Sequence, residues 1–361
     1  MYSKLMNIYN TNTEYLNKDE SNAIKGILIL LIIAGHTHYL VPQLSPTFFY
    51  LYRFHVVCFF ILPFFYSHKS SLSWNKIKDL AIKLYVPYLI FFVVCTTLYG
   101  ISLKNFSWFS VTGSTQAFII GSEELLKQES GFKFLWFIPA FFSFTMLKSL
   151  FDNACEILNP SANKKHLVFI ASFLSIIALI GVICWFFPNQ WKSFRLNYEQ
   201  YVPFGMLTAL RFFTLGIFTF LIIRFIPYIK YLGAIIFVIL SIMYFINEGQ
   251  IGINNDAFKT ILPLIFPVCA FCLLLAGKKL WTYIPFMSEL GKLSFPIYLV
   301  HVIVYNILEQ IISYSILNAG VIYVSTIVIS VFISLIITKI NILQKLILPK
   351  GYNDFKSLFI K

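Results

Sequence analysis

Charge is what this sequence has least of. Only 12% of its 361 residues are charged, and the 15 acidic residues are about half as many as the 28 basic ones. A water-soluble globule needs charged and polar side chains over much of its surface, and a chain that is 58% hydrophobic with a mean hydropathy of +0.78 has too few. The composition therefore excludes a soluble globular domain and indicates an integral membrane protein.

The sequence also lacks the cysteine pattern of a metal or redox site. Cys269 and Cys272 form a single Cys-x-x-Cys spacing, with no second pair and no histidine nearby. Zinc and redox sites need such partners, so we expect these thiols to pack as small apolar groups and the protein to bind no metal. No internal repeat or separate soluble segment is evident either. We therefore interpret residues 1–361 as one transmembrane domain.

Long apolar runs are abundant. A helix needs about 20 apolar residues to cross the hydrocarbon layer, and open sheet edges are not tolerated there. The predicted fold is therefore all-α, a polytopic bundle of about ten transmembrane helices. The predicted spans cover residues 23–42, 47–66, 79–100, 133–151, 167–187, 204–225, 227–247, 258–276, 293–317 and 319–340.

The basic residues are distributed unevenly between the two sides of these spans. Nineteen of the 28 fall at one side, six at the other and three inside the spans. Because cytoplasmic loops are rich in lysine and arginine, the N-terminal segment 1–22 and the tail 341–361 are both predicted to be cytoplasmic. The net charge of +13 then needs no nucleic acid as a partner. We expect a multi-pass protein of the cytoplasmic membrane.

Seven ionisable side chains are predicted to be embedded or close to a helix end. Each embedded one costs at least a few kcal/mol, so its presence is a functional hypothesis. A structural explanation competes for some of them: a lysine near a helix end can extend to the interface, and an arginine and a glutamate can form an ion pair. The seven are Lys25, His36, Arg53, His55, Arg211, His301 and Glu309.

Spacing predicts the depth of these side chains. His36 lies about eight residues before the centre of an uncharged loop, VPQLSPT, and Arg53 about eight after it, so both are expected at one level in the outer half. His55 lies slightly deeper, on a different face. Lys25 precedes His36 by about three turns, which puts it on nearly the same face but about 16 Å nearer the cytoplasm. His301 is expected in the inner half.

Four segments resemble one known family, and they occur in that family's order. They are KGILILLIIAGH (25–36), RFHVVCFF (53–60), LWFIPAFF (135–142) and GKLSFPIYLVH (291–301). Together they resemble the acyltransferase 3 family of membrane-bound acyltransferases, which includes bacterial polysaccharide O-acetyltransferases. Lys25 stands where the family has arginine, which keeps the charge but loses the bidentate geometry. Two valines follow His55 where the family commonly has methionine and proline.

The resemblance implies an O-acetyltransferase that takes an acetyl group from cytoplasmic acetyl-CoA as a co-substrate. The acceptor would be a hydroxyl of a cell-surface or lipid-linked glycan. His36 is then the general base, because imidazole titrates near neutral pH, and an acyl-histidine intermediate stays open. Arg53 and His55 would orient His36 or offset negative charge, and Lys25 would meet the anionic donor. Expected substrate contacts are Trp136, Arg211, Ser294, Tyr298, His301 and Glu309.

Other functions also place charge in a membrane. A multi-pass transporter, or a flippase of a polysaccharide precursor or small solute, is the main alternative, but transporters often contain repeated halves and none is evident here. A polysaccharide polymerase or ligase would be expected to have a large exterior loop. The longest exterior connection here, about residues 101–132, is short and includes an amphipathic stretch, SEELLKQESGF. The acceptor, the acyl group and a possible homo-oligomer stay open.

Overall fold

The structure is a computed structural model that describes residues 15–36, 50–66, 73–103, 111–131, 133–157, 175–176, 178–246, 256–312 and 315–359. Within these ranges the chain is helical and has no strand, which confirms the all-α prediction. In chain order the helices are α1 (Lys18–His36), α2 (His55–Ile61), α3 (Pro63–Tyr66), α4 (Trp74–Leu103), α5 (Val111–Ile120), α6 (Glu123–Ser130), α7 (Phe137–Ile157), α8 (Pro188–Tyr198), α9 (Met206–Phe225), α10 (Ile229–Ile246), α11 (Asp256–Ala276), α12 (Lys278–Tyr283), α13 (Met287–Lys292), α14 (Ser294–Ile311), α15 (Ile316–Lys339), α16 (Asn341–Ile347) and α17 (Tyr352–Lys356).

Six helical segments of the described chain are long and apolar enough to cross a membrane, and each coincides with a predicted span. They are Trp74–Ile101, Lys133–Asn153, Met206–Phe225, Ile229–Ile246, Ser294–Ile311 and Asn318–Lys339. Two shorter apolar helices, Tyr50–Tyr66 and Leu262–Ala276, fall on two further predicted spans. Parts of the predicted spans 23–42 and 167–187 lie outside the described residues. The count of ten and the cytoplasmic termini therefore stay predictions.

The chain divides into two compact units. The first comprises residues 1–70, 152–188 and 211–331, and the second comprises residues 71–151, 189–210 and 332–361.

In the first unit, α10 packs along α11, and small side chains make the contact close. Cys269 and Cys272 of α11 are both buried. A side chain at Gly233 of α10 would start 2.8 Å from the Cys272 sulfur, so glycine is what fits there. The Cys58 thiol of α2 also contacts α11, where it donates to the Pro267 carbonyl over 3.7 Å. These thiols thus act as small packing groups.

In the second unit, the C-terminal tail folds back onto the first turns of α4. The backbone N–H of Tyr352 donates to the Asp79 carboxylate over 2.8 Å, and the Lys78 ammonium lies 4.3 Å from the centre of the Tyr352 ring. Both segments belong to the lysine-rich stretches that are predicted to be cytoplasmic. Their contact places them at the same end of α4, as that topology requires.

The amphipathic stretch SEELLKQESGF forms α6 with a defined cap at each end. The Ser122 hydroxyl accepts a hydrogen bond from the Leu125 N–H over 3.3 Å at the N-terminus. Gly131 ends the helix with a φ of 70°, a left-handed conformation that favours glycine. The amphipathic stretch of the sequence is therefore a short helix with both ends capped.

Candidate active site

The N-terminus of α1 is held by a capping box and a buried carboxylate. The Asn17 side chain accepts from the Glu20 N–H over 2.8 Å, and the Glu20 carboxylate accepts from the Asn17 N–H over 2.9 Å. The Lys278 ammonium, at the start of α12, donates to the same carboxylate over 3.2 Å and to the Tyr15 carbonyl over 2.5 Å. The Arg224 guanidinium lies 5.5 Å from the Tyr15 ring centre. Three segments that are predicted to be cytoplasmic therefore meet at one end of the first unit.

One turn further along, α1 and α13 meet backbone to backbone. A Cβ atom on Gly26 would lie 2.2 Å from the Met287 carbonyl oxygen, and a Cβ atom on Gly291 would lie 1.7 Å from the Asn22 carbonyl oxygen. Neither position has room for a side chain. Gly26 follows Lys25 in the first motif, and Gly291 begins the last motif. The two motifs are thus joined in space by direct backbone contact.

Lys25 lies beside this contact with its ammonium group near polar and aromatic partners. Its Nζ atom is 3.5 Å from the Asn22 side-chain oxygen and 4.6 Å from the centre of the Tyr66 ring. The side chain is half-buried. A cation over an aromatic face is stabilised by the ring quadrupole, so α3 helps to hold the ammonium group at this end of α1.

At the other end of α1, His36 contacts two rings of α14. The centre of its imidazole lies 5.2 Å from that of His301 and 6.2 Å from that of Tyr305. The His301 ring also packs against Tyr298, at 5.6 Å. The first and last motifs therefore meet twice, through glycines at one end of α1 and through imidazoles at the other.

This contact differs from the expectation that His36 and His301 occupy different halves of the membrane. Positions along the two helical segments can be measured from the point where Asn22 and Gly291 touch. His36 is 14 residues beyond Asn22 and His301 is 10 residues beyond Gly291, which corresponds to rises of about 21 Å and 15 Å. Side chains bridge the remaining difference. The depth prediction was too coarse because the starts of the two helices were uncertain by a few residues.

A third imidazole, that of His55, packs against the last turn of α1. Its Nδ1 atom hydrogen-bonds to the Leu51 carbonyl one turn earlier. The Tyr52 ring packs edge-to-face against its imidazole, with the ring centres 5.0 Å apart. A Cβ atom on Gly35 would lie 3.8 Å from the His55 ring and 3.2 Å from the Tyr52 ring. His55 is buried. Three histidines from three helices thus converge at the C-terminal end of α1.

Arg53 faces a different neighbour. Its guanidinium carbon lies 5.3 Å from the centre of the Tyr244 ring on α10. Tyr244 belongs to an aromatic cluster in which Tyr50 is in ring contact with Phe54, Phe237, Phe245 and Phe266. Arg53 and His55 therefore project from α2 and its preceding turn toward different helices, as the two-residue spacing predicts.

Arg211 is the first residue of α9 that belongs to the first unit, and it stacks on Trp185. The guanidinium carbon is 4.5 Å from the ring centre. The indole N–H of Trp185 donates to both the Arg211 carbonyl and the Thr214 hydroxyl over 3.2 Å. Glu309 is half-buried on α14, two turns beyond His301. An ion pair between Arg211 and Glu309 stays a prediction.

The remaining predicted contacts are divided between the two units. Ser294 is half-buried at the first position of α14, seven residues before His301. Trp136 belongs to the second unit, where it ends a 3₁₀ turn before α7 and packs edge-to-face on Phe137 at 6.1 Å. The motif LWFIPAFF thus begins a row of aromatic rings that continues along α7 through Phe141 and Phe144.

The second unit has an apolar groove of about 440 Å³ between α4 and α5. None of the predicted site residues lines this groove. Its walls carry three threonines and a serine among apolar side chains. The lining residues are Leu89, Phe92, Val93, Thr96, Thr97, Val111, Ser114, Thr115 and Phe118.

The chemical character of the first-unit site follows from its three imidazoles. A neutral imidazole has one N–H donor and one lone pair, so it can take up or release a proton without a large structural change. Among the described residues, no group of three histidine, cysteine, aspartate or glutamate side chains is arranged to hold a metal ion. Because an imidazole carries both an N–H donor and a lone pair, the half-buried His36 at this convergence is suited to take up and release a proton.

A comparison with known protein families matches the part of the chain that contains this site. A family model described as an acyltransferase domain, that of the acyltransferase 3 family, matches residues 18–339, from the first residue of α1 to the last residue of α15. The match includes all four motifs and nearly the whole chain. No curated protein and no solved structure gives a significant match.

Proposed function

Because this chain belongs to the acyltransferase 3 family, we propose that it is an O-acetyltransferase of the inner membrane. It takes an acetyl group from cytoplasmic acetyl-CoA and transfers it to a hydroxyl of a cell-surface or lipid-linked glycan. Membership of the family makes the protein a membrane acyltransferase, in agreement with its six candidate spans. The donor, the acceptor and the roles of individual residues are the proposal.

The observation that carries the proposal is the contact between His36 and His301. These residues end the first and last motifs, and they are 265 positions apart in the sequence. Their ring centres lie 5.2 Å apart. Transfer to a hydroxyl requires a group that accepts a proton at neutral pH, and a histidine at a convergence of helices is suited to that task.

In the proposed reaction His36 is the general base. It takes the proton from the acceptor hydroxyl while the hydroxyl oxygen bonds to the carbonyl carbon of the thioester. The carbon–sulfur bond then breaks, and the protonated imidazole returns the proton to the departing thiolate. The products are an acetyl ester and free coenzyme A, and the enzyme regains its initial state.

The two ends of α1 have different roles in this reaction. Lys25 lies about 16 Å from His36 along the helix, toward the predicted cytoplasmic side. Its ammonium group can meet the phosphates of the donor, since a lysine binds phosphate as a point charge. Arg53 and His55 would orient His36 or offset negative charge. Trp136, Arg211, Ser294, Tyr298 and Glu309 remain proposed substrate contacts.

The proposal is tested in cells by the O-acetyl content of the surface polysaccharide, measured by proton NMR. We expect a deletion strain to lose the acetyl signal, the wild-type gene to restore it, and His36→Ala to leave it absent while the protein is still inserted in the membrane. His166→Ala, in a predicted cytoplasmic loop, is the matched control and should restore the signal. Normal acetylation by His36→Ala would remove this residue from the reaction.

The same strains separate the enzyme from the transporter alternative. Membranes from the complemented strain should release coenzyme A thiol only when acceptor polysaccharide is present. Transport of a solute by purified protein without consumption of acetyl-CoA would instead favour a transporter.

A further inference from the structure

We propose that His301 is a positioning residue that acts through His36, with the two imidazoles forming a pair that shares one proton. The inference deepens the proposed function and rests on it. His301 is completely buried on α14, and no solvent reaches its ring in the described structure. A buried ring acts through the side chains that it contacts, and His36 is in ring contact with it.

One hydrogen bond determines which nitrogen of His301 carries the proton. The Nδ1 atom lies 2.6 Å from the Tyr298 carbonyl oxygen in the same helix. A carbonyl oxygen has no hydrogen to donate, so Nδ1 must be the donor. In a neutral imidazole the Nε2 atom then holds the lone pair. This nitrogen is on the outer edge of the ring, away from the backbone of α14, and it can accept a proton or a hydrogen bond.

The separation of the rings suits such an exchange. A hydrogen bond of about 2.9 Å between two ring nitrogens places imidazole centres about 5 Å apart. The observed separation is 5.2 Å, with the ring planes inclined by 55°. A pair of this kind requires one nitrogen of His36 to face Nε2 of His301. Catalytic hydrogen bonds are often loose before the substrates bind and tighten in the complex.

The pair has a defined role in the reaction. One nitrogen of His36 takes the hydroxyl proton, and its other N–H donates to Nε2 of His301, which stabilises the imidazolium until the proton passes to the thiolate. A carboxylate would do this more strongly in water, but burying a charged carboxylate costs several kcal/mol. A neutral imidazole avoids that cost. Two positively charged imidazoles at this distance repel each other, so the pair holds one extra proton at most.

His301 also has a possible purely structural role, because it fills space and bonds to its own helix. Two substitutions separate the roles. Asparagine places its amide near the position of Nδ1 and can keep the bond to Tyr298, but it has nothing at the position of Nε2. Glutamine is longer and places a polar atom near Nε2. The structural role predicts that His301→Asn is the milder change, and the positioning role predicts the reverse.

The experiment measures kcat and KM for acetyl transfer by full-length protein purified in detergent, with acetyl-CoA as donor and polysaccharide from the deletion strain as acceptor. We expect His301→Asn to lower kcat by about 10-fold to 100-fold, part of the 10²–10⁴-fold that a general base provides, with KM unchanged. His301→Gln should keep several-fold more kcat than His301→Asn. Gln310→Asn, an exposed residue of the same helix, controls for side-chain length and should behave as wild type.

The results distinguish the pair from the wider proposal. Equal kcat for the two His301 variants, or a higher kcat for asparagine, would overturn the positioning role. A loss of kcat that follows a fall in the melting temperature would also overturn it, because it would identify His301 as a packing residue. His36→Ala belongs in the same assay: activity in that variant contradicts the proposed function itself, whereas an inactive His36→Ala with a normal His301→Asn contradicts the pair alone.

Discussion

The two ends of α1 are held in different ways. Near Gly26 the helix touches the backbone of α13, and a capping box and an ion pair fix its first turn. Near Gly35 it meets imidazole and phenol rings instead. Helices whose backbones touch cannot shift against each other easily. Side-chain rings, in contrast, can rotate, and imidazoles can exchange protons. A catalytic side chain has to be held accurately by rigid surroundings, and α1 combines a rigid end with an end that carries reactive groups.

The largest effect on stability is expected from Gly291→Ala. Its new Cβ atom would start 1.7 Å from the Asn22 carbonyl oxygen, and neither backbone can move aside easily. Overpacking of this kind typically costs about 1–3 kcal/mol or more, and acetyl transfer should fall because α13 leads directly into α14. Thermal unfolding of the purified protein measures the change.

Gly320→Ala is the matched control for this substitution. Gly320 lies in α15, and a Cβ atom there would have no neighbour within 4 Å. Alanine should leave stability unchanged or raise it by up to about 1 kcal/mol, because glycine is a poor helix former. The backbone contact between α1 and α13 would be refuted if both alanine variants unfolded at the same temperature.

The second prediction compares Gly26→Ala with Gly35→Ala within one helix. At Gly26 the added methyl group would lie 2.2 Å from a carbonyl oxygen, so we expect a loss of about 1–3 kcal/mol. At Gly35 the nearest atom is 3.2 Å away on the Tyr52 ring, which can shift by a few tenths of an ångström. Gly35→Ala should therefore change stability by less than about 1 kcal/mol but lower kcat, since it displaces rings beside His36. Equal unfolding temperatures for the two variants would show that the two ends of α1 are packed equally tightly.

The third prediction concerns the buried carboxylate of Glu20. Glu20→Gln removes the charge that faces Lys278 and weakens the bond that the Glu20 side chain accepts from the Asn17 N–H, and we expect a loss of about 1–2 kcal/mol. Glu289→Gln removes an exposed carboxylate that pairs with Lys292 over 2.6 Å. Exposed pairs contribute little, so that variant should unfold as wild type does. Urea or thermal unfolding of both variants measures the difference, and an equal effect would show that the Glu20 pair does not hold α1.

The smallest effect is expected from Arg53→Lys. The substitution keeps the charge but replaces a planar group that lies over Tyr244. A cation–π contact contributes about 0.5–1 kcal/mol, so a comparable loss of stability is expected, with kcat within a few-fold of wild type. Arg53→Lys with a kcat reduced 100-fold and normal stability would show that the guanidinium itself, and not only its positive charge, is required to offset negative charge in the reaction.

Sequence reasoning predicted the helices well because a bilayer imposes a length and an apolar composition on each span. It predicted the depth of individual side chains in the membrane less well, and it hardly indicated which helices pack against one another. The spacing of Arg53 and His55 indicates two different faces, but nothing in that spacing identifies Tyr244 or Gly35 as what each face meets. The contact of His36 with His301 joins residues far apart in the chain, and such contacts depend on how helices pack.

Some of the missed residues did have a local signal. Asn17 and Glu20 have the spacing of a capping box directly before an apolar run, and this pattern predicts a helix that starts earlier than residue 23. Lys148 and Asp152 had no such signal. The structure places both residues in α7, where both are buried.

The most direct test of the central claim uses purified protein in sealed liposomes, with labelled acetyl-CoA on one side of the membrane and deletion-strain polysaccharide on the other. We expect the wild-type protein to release coenzyme A on the donor side and to deliver an equal amount of labelled acetyl ester to the acceptor side. His36→Gln should do neither above background. Labelled polysaccharide formed at the wild-type rate by His36→Gln, or polysaccharide that never acquires label with the wild-type protein, would contradict the account.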